Sequence, residues 1–274
     1  MASPYGINPL TINLDPEGGG PNLQAIAVTA TLKKSLRFGP NQEGLMLEIL
    51  SKCYEDQGIT QSDVNSWKNT PPNFANLKEE IEERIEDGCN ESTKLLLKLA
   101  ATFQYGVFSR EQPEFKEKHI RVDLSKLPPE IGAIAAESLA WQLMNIHRLM
   151  GETGDKLPKT YIFIDEAKEL KKSSACDRII ADGRKYGLGL VLASQSERHL
   201  SPDVIGNSST KIVLPVDQTE VKKVASKFRL AEKKVAALTQ LTALCRFGTH
   251  AEYVEILPYY RRIEANDLNY DCPE

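Results

Sequence analysis

The sequence predicts an α/β protein whose mostly parallel sheet is covered by helices on both faces. From residue 119 onward, short and fully apolar segments alternate with segments of helical periodicity. Strands that are apolar throughout are typical of parallel sheets buried on both sides. Residues 41–117 contain only helical patterns, so we expect a separate helical block there.

Five segments are predicted to be strands, with helices between them. The strands are expected at residues 119–124, 160–167, 188–195, 210–216 and 250–257. A buried helix over 128–150 starts with two prolines, which suit the first turn of a helix, and its apolar residues lie almost all round. A further helix is expected at 168–186, and two more within 220–240.

Changes in composition divide the chain into four predicted segments. Residues 1–40 are rich in Pro, Gly and Asn and are expected to form one or two short strands with loops. Residues 41–117 form the helical block and residues 118–257 the sheet domain. Residues 258–274 are expected to be a polar tail.

The composition is that of an ordinary soluble protein. The 274 residues are 41% hydrophobic with a net charge of −4, so any DNA contact must come from a local patch and not from the whole surface. No run approaches the ~20 apolar residues of a membrane span, and the N-terminus lacks the features of a signal peptide. Five widely spaced cysteines without a C-x-x-C pair favour free thiols. We therefore expect a cytoplasmic protein.

A pair of acidic residues, Asp165 and Glu166, follows the apolar segment YIFI. This arrangement has the form of a Walker B motif. An Asp at the tip of a buried strand can hold the water shell of a phosphate-bound Mg²⁺, because hard oxygen ligands suit this cation. The adjacent Glu can orient or deprotonate a water for attack on the terminal phosphate of ATP. The alternative is that both acids are solvated and cap the next helix.

The next predicted strand ends in Ser194 and Gln195. In a parallel sheet, ligands bind at the carboxyl ends of the strands, so Gln195 is expected beside Asp165 and Glu166. Its amide offers a donor and an acceptor to the γ-phosphate or the attacking water, and Ser194 is a candidate nucleotide-binding residue. Alternatively, Ser194 is an N-cap. Two neighbouring strands with such ends favour nucleotide hydrolysis.

Basic residues supply two further candidates. Arg184, in the segment GRKYG, can act as an arginine finger that disperses charge on a transferring phosphoryl group. It can equally bind DNA phosphate or pair with a surface acid. The densest basic stretch could approach DNA phosphates or form a solvated helix face. Its lysines are Lys222, Lys223, Lys227, Lys233 and Lys234.

The run from YIFIDEA through GRKYGLGLVLASQ to NSSTKIVLPV resembles the C-terminal half of the HerA/FtsK superfamily of ring-forming ATPases, a half that type IV secretion ATPases share. HerA-like chains place IDEAH, then GRKYG, then a strand that ends in SQ. Lys168 stands here in place of the histidine. The resemblance is specific over 160–214 and weak over the rest of 5–257. It implies a three-layer RecA/FtsK-like core in which 41–117 is a variable insertion.

The resemblance also implies a function. Such proteins use ATP and Mg²⁺ and act on double-stranded DNA as rings, so we expect a hexamer with nuclease or other DNA-processing partners. The resemblance implies a role in DNA-end processing, conjugation or restriction-type defence. In that family, C-terminal segments reach toward the nucleotide of a neighbouring subunit, where Arg246, Arg261 or Arg262 could act.

The Walker A motif of that family, G-x-x-x-x-G-K-[ST], does not occur in the sequence. Its backbone amides and lysine cradle the phosphates of the nucleotide. The INPL segment resembles a stretch that family members carry soon after this motif, so we expect the motif to precede residue 1. The chain by itself is then expected to hydrolyse ATP negligibly. The alternative is a non-catalytic α/β interaction module, or a degenerate paralogue in a DNA-processing complex.

Overall fold

The computed structural model describes residues 4–115, 119–167, 173–258 and 260–261. The chain divides into two compact units, Met1–Gln195 and Ser196–Glu274. In chain order the first unit contains α1 (Pro21–Leu36), α2 (Pro40–Asp56), α3 (Phe74–Glu86), α4 (Asn90–Tyr105), α5 (Pro129–Met150), β1 (Thr160–Ile164), α6 (Ser174–Asp182) and β2 (Leu188–Leu192). The second unit contains α7 (Pro202–Asn207), β3 (Thr210–Val213), α8 (Val221–Phe228), α9 (Glu232–Ala236), β4 (Thr242–Phe247) and β5 (His250–Glu255).

The chain is mostly helical, and its strands form two small sheets. In the first unit, β1 and β2 pair in parallel. In the second unit, β3, β4 and β5 form an antiparallel sheet in that order. The predicted α/β class is therefore confirmed, but the expectation of one mostly parallel sheet is wrong. Within the described ranges, no helix has the length and apolarity that a membrane crossing requires.

The helical block is the larger core of the first unit. Helices α2, α3 and α4 lie within the predicted 41–117 block, apart from the first residue of α2, and their buried side chains form one cluster with α1 and the first half of α5. Prolines occupy the first turns of α1, α2 and α5, where the missing N–H costs no hydrogen bond. Gly106 ends α4 in the left-handed conformation, which glycine adopts without strain.

Two of the predicted strands are absent. Residues 21–36 form α1, because Ala25, Val28 and Leu32 are buried at helical spacing. The prediction of short strands and loops is wrong here, since it was based on the Pro and Gly residues at the start of this segment. Residues 119–124 have no regular structure, and Ile120 and Val122 are exposed. An alternating segment forms a strand only when a neighbour accepts its backbone hydrogen bonds, and the described residues supply no neighbour here.

Helices cover one face of the β1–β2 pair. Ile162 and Leu190 pack with residues of α5 and α6 in a small apolar cluster. On the opposite face, Tyr161 and Phe163 are 45% and 74% exposed. The prediction of helices on both faces is therefore wrong for the described residues.

The second unit packs α8 and α9 on its antiparallel sheet. The buried stripe of α8 consists of Val221, Val224 and Ala225, which pack in one apolar cluster with Leu244 of β4. The two predicted helices in 220–240 and the predicted strands at 210–216 and 250–257 are confirmed in position. Strand β4 was missed, because a central strand with three successive buried residues shows no alternation.

The four described cysteines are free thiols, as expected. Burial raises the pKa of Cys53 to about 12 and that of Cys176 to about 11. Hydrogen bonding to Ser92 lowers the pKa of Cys89. Cys272 lies outside the described residues.

Tyr54→Phe tests how the N-terminal segment is fixed to the helical core. The Tyr54 side chain is buried and its hydroxyl donates to the Leu10 carbonyl at 2.8 Å. Removal of this donor leaves a buried acceptor unpaired, so we expect the free energy of unfolding to fall by about 1–3 kcal/mol in urea titrations. Tyr105→Phe, at an exposed position of α4, is the control and should change it by less than about 0.5 kcal/mol. Equal effects of the two variants would show that the bond contributes nothing.

Candidate functional site

The register of β1 and β2 brings their carboxyl ends to the same edge. Ile164 is paired with Leu192, and the ladder continues beyond both strands. The Ala193 N–H donates to the Ile164 carbonyl at 2.9 Å, and the Ala167 N–H donates to the Ala193 carbonyl at 2.9 Å. The residues that follow each strand are therefore held side by side by backbone hydrogen bonds.

Glu166 and Gln195 are in direct contact at this edge. The Gln195 Nε2 donates to Glu166 Oε1 at 2.5 Å. The Glu166 N–H donates to Asp165 Oδ1 at 3.0 Å, so three of the predicted site residues form one connected group. Asp165 and Gln195 are exposed and Glu166 is half-buried, which leaves the group open to solvent. The juxtaposition predicted from the two strand ends is present.

Glu166 also has an unusual backbone conformation. Its φ is 56°, in the left-handed region that residues other than glycine seldom adopt, at a cost of order 1–3 kcal/mol. The backbone ladder at Ala167 and the side-chain bond from Gln195 lie on either side of this residue and hold it in place. Strain of this kind concentrates at functional sites. Ser194, the other candidate on this loop, is half-buried.

Arg184 does not join this group. It lies in the short 3-10 helix Gly183–Tyr186, before β2, whereas Gln195 comes after β2. The five residues of β2 separate the two ends by roughly 16 Å at ~3.3 Å per residue. Arg184 is exposed. Arg184 therefore lies far from Asp165 within the chain, and its role as an arginine finger stays a prediction.

Glu137 is a site-supporting residue that the sequence analysis missed. It lies on α5 and is 5% exposed, and its Oε1 accepts from the Ser174 hydroxyl at 2.8 Å and from the Ala175 N–H at 3.2 Å. The first N–H groups of a helix have no partner within the helix, and the Glu137 carboxylate accepts from one of them. Glu137 thus fixes the start of α6, the first α-helix that the structure describes after the Asp165–Glu166 loop. In the sequence, Glu137 could have been identified as a single acidic residue within the apolar interior of α5.

The predicted DNA-binding lysines are exposed on α8 and α9 of the second unit, and two of them have partners. Lys223 pairs with Glu220 at 2.9 Å, and Lys234 Nζ donates to the Ala251 carbonyl at 3.0 Å. The other lysines of this set are Lys222, Lys227 and Lys233. A role in DNA contact stays a prediction for all five.

The candidate C-terminal arginines differ in what surrounds them. Arg246 is half-buried and its guanidinium donates to the Phe228 carbonyl at 2.6 Å and to the Gly248 carbonyl at 2.7 Å. Arg261 is exposed. Arg262 and Lys168 lie outside the described residues.

Comparison with known proteins identifies relatives of this chain. Residues 134–242 match the family of type IV secretion-system coupling protein DNA-binding domains. A probable DNA double-strand break repair helicase HerA from Methanocaldococcus jannaschii is 37% identical over 65 residues, which are 24% of this chain and 13% of that protein. The match thus spans only a small part of the length of this curated relative.

Solved structures share the fold. VirB4 of Thermoanaerobacter pseudethanolicus superposes with a TM-score of 0.74 at 19% identity, over 95% of this chain and 76% of that one. The plasmid coupling protein TrwB, in complex with the non-hydrolysable ATP analogue ADPNP, superposes with a TM-score of 0.56 at 14% identity, over 93% of this chain and 72% of that one. The fold of this chain is therefore that of the VirB4 and TrwB ATPases.

Glu137→Ala tests the anchoring of α6. The variant leaves the Ser174 hydroxyl and the Ala175 N–H without their acceptor, so we expect the free energy of unfolding to fall by about 2–4 kcal/mol in urea titrations. Glu137→Gln keeps an acceptor oxygen at this position and should cost less than half as much. A Gln variant as unstable as the Ala variant would contradict this account, since charge and not hydrogen bonding would then hold the helix start.

Proposed function

Since the chain is related to the HerA/VirB4/TrwB-like superfamily of P-loop ATPases, we propose that it is part of an ATPase that couples ATP hydrolysis to translocation or processing of double-stranded DNA. The observation that carries the proposal is the contact between Gln195 and Glu166 beside the exposed Asp165. ATP is the proposed cofactor, and the TrwB structure with an ATP analogue supports this choice.

Each residue of the group fits a distinct chemical task. Bound Mg²⁺-ATP would supply the transferable phosphoryl group and the metal that screens its charge. The exposed Asp165 carboxylate suits hydrogen bonds from metal-bound water. Glu166 would orient a water molecule and take its proton on a carboxylate oxygen. Gln195 positions that carboxylate through its N–H, while its amide oxygen can accept a hydrogen bond from the water.

The proposal requires a phosphate cradle that the 274 residues do not contain in the form G-x-x-x-x-G-K-[ST]. In this proposal, the cradle comes from outside these 274 residues, and the chain alone hydrolyses ATP negligibly. Ser194, half-buried on the same loop as Gln195, would contribute to nucleotide binding. The site is thus one half of a complete nucleotide site.

Assembly into a ring gives Arg184 a role that a single chain does not allow. At the edge of the sheet opposite to Asp165, its guanidinium would face the nucleotide of a neighbouring subunit and disperse charge on the phosphoryl group. We therefore propose a hexamer in which Arg184 acts between subunits, with Arg261 as a further candidate. The proposed setting is the cytoplasm, with nuclease or other DNA-processing subunits as partners in DNA-end processing, conjugation or defence.

One observation favours the alternative of a non-catalytic interaction module. The face of β1–β2 that carries Tyr161 and Phe163 is apolar and exposed, and exposed apolar faces often mark interaction surfaces. In that case the chain would bind partner subunits without turnover. The activity of a longer polypeptide separates the two functions.

Glu166→Gln tests the proposed ATPase in a polypeptide extended upstream to include a G-x-x-x-x-G-K-[ST] motif. We expect DNA-stimulated ATP hydrolysis in the parent and a fall in kcat of at least about 100-fold in the variant, because the amide cannot accept the proton of the attacking water. Binding of a fluorescent ATP analogue should persist. Phosphate release and fluorescence anisotropy measure the two quantities.

Glu79→Gln is the matched control for that experiment. Glu79 is an exposed acid on α3, outside the site, and its variant should hydrolyse ATP like the parent. Absence of DNA-stimulated hydrolysis in a folded parent would refute the ATPase and leave the interaction module. Full activity of Glu166→Gln would refute the assignment of the catalytic base.

A further inference from the structure

Three cations meet at the C-terminal end of α8, and we call them the Lys211 cluster. They are Lys211 of β3, Arg246 of β4 and Arg229, the residue that ends α8. The β3–β4 register places Lys211 directly opposite Arg246. Arg229 follows Phe228, whose carbonyl accepts from the Arg246 guanidinium at 2.6 Å. All three positions belong to the second unit.

Backbone carbonyls, not carboxylates, hold the side chains of Lys211 and Arg246. Lys211 Nζ donates to the Ser208 carbonyl at 2.7 Å, and Arg246 Nε donates to the Gly248 carbonyl at 2.7 Å. Carbonyl groups fix the direction of a side chain but carry no net charge. The cluster is therefore pre-oriented and its positive charge is not neutralised by these partners.

The neighbouring positive charges disfavour the charged form of Lys211. Burial lowers the pKa of its ammonium, and the positive charges of Arg246 and Arg229 lower it further. Like charges placed directly opposite each other on neighbouring strands destabilise a sheet. An oxyanion bound among the three side chains would remove this repulsion and accept hydrogen bonds from them.

Donors remain for such an anion. The Lys211 ammonium has three N–H donors and uses one of them for the Ser208 carbonyl. The Arg246 guanidinium has five N–H donors and uses two, for the Gly248 and Phe228 carbonyls. The backbone conformation of Arg229, with φ 52°, is left-handed and ends α8 at this point. The side chain of Arg229 is exposed, so the cluster is accessible from solvent.

The surroundings of the cluster suit a polyanion. Residues 208–248 contain eight lysines and arginines against three acids, in a chain of net charge −4. Several of these lysines are exposed on α8 and α9, so a positive field extends beyond the cluster. A single small anion would need only the cluster, whereas a phosphodiester chain would use both the cluster and the field around it.

We propose that Lys211, Arg229 and Arg246 form a binding site for a backbone phosphate of DNA. The choice of DNA rests on the proposed function, but the existence of an oxyanion site does not. The cluster differs from the lysines on the α8 surface because backbone carbonyls orient Lys211 and Arg246, whereas Lys223 is paired with Glu220. It therefore acts as the ordered contact that fixes a phosphate, and the helix lysines add non-specific attraction.

Side-chain-selective NMR of the chain tests the site, with signals from lysine Nζ and arginine Nε groups. Inorganic phosphate is titrated at constant ionic strength, and a short DNA duplex and ATP are titrated separately. We expect saturable shifts of the Lys211 and Arg246 signals with phosphate, and the same signals to shift with the duplex at lower concentration. The double variant Lys211→Gln/Arg229→Asn should bind phosphate at least about fivefold more weakly; Asn tolerates the left-handed backbone at 229.

The matched control is Lys222→Gln/Lys227→Gln, which removes two charges from exposed positions of α8. Its phosphate affinity should stay within about twofold of the parent. Equal weakening in both double variants, or shifts that never saturate, would overturn the site in favour of diffuse attraction. Binding of ATP without binding of the duplex would overturn the assignment to DNA.

Two features keep this test decisive. If the double variant does not fold, Lys211→Gln alone replaces it, because Arg229 then still ends α8. The phosphate titration is also independent of ATP hydrolysis. Loss of the phosphate site with an active ATPase would refute only this inference, and a phosphate site in a protein without ATPase activity would refute only the proposed function.

Discussion

The pairing of β1 with β2 is the interaction on which the rest of the site depends. Parallel pairing brings the carboxyl ends of both strands to one edge, and the register decides which residues meet there. A slip of β1 by one residue against β2 would turn Ile162 away from α5 and α6 and expose it. The apolar contacts under the sheet therefore also fix the polar contact between Gln195 and Glu166.

Helix α5 connects this pairing to the larger helical core. Ile131 and Ile134 belong to the cluster formed by the helical block, while Ala140 and Met144 pack under β1 and β2. The same helix carries Glu137, which holds the start of α6. A short two-stranded sheet is only marginally stable by itself, and α5 gives it a rigid support.

The sequence predicted which of the candidate residues lie together better than it predicted the architecture. Asp165, Glu166 and Gln195 follow short apolar runs, and strand ends of this kind can be located from composition without knowledge of the full sheet. The 119–124 segment and α1 were assigned wrongly because local patterns were taken without their tertiary partners. Alternation in 119–124 has no neighbouring strand to pair with among the described residues, and Ala25, Val28 and Leu32 of α1 are buried at helical spacing. The role of Glu137 and the separation of Arg184 from Asp165 depend on distances across the fold, which no local sequence pattern encodes.

The contact between Gln195 and Glu166 is tested most directly by the side-chain amide signal of Gln195 in NMR spectra. The account predicts that this signal, assigned with Gln195→Ala, moves in Glu166→Ala, because the amide loses its acceptor. The signal should keep its position in Glu152→Ala, at the opposite end of the sheet beside Lys185. A Gln195 signal that keeps its position in Glu166→Ala, or that moves equally in both variants, would contradict the arrangement from which the function was argued.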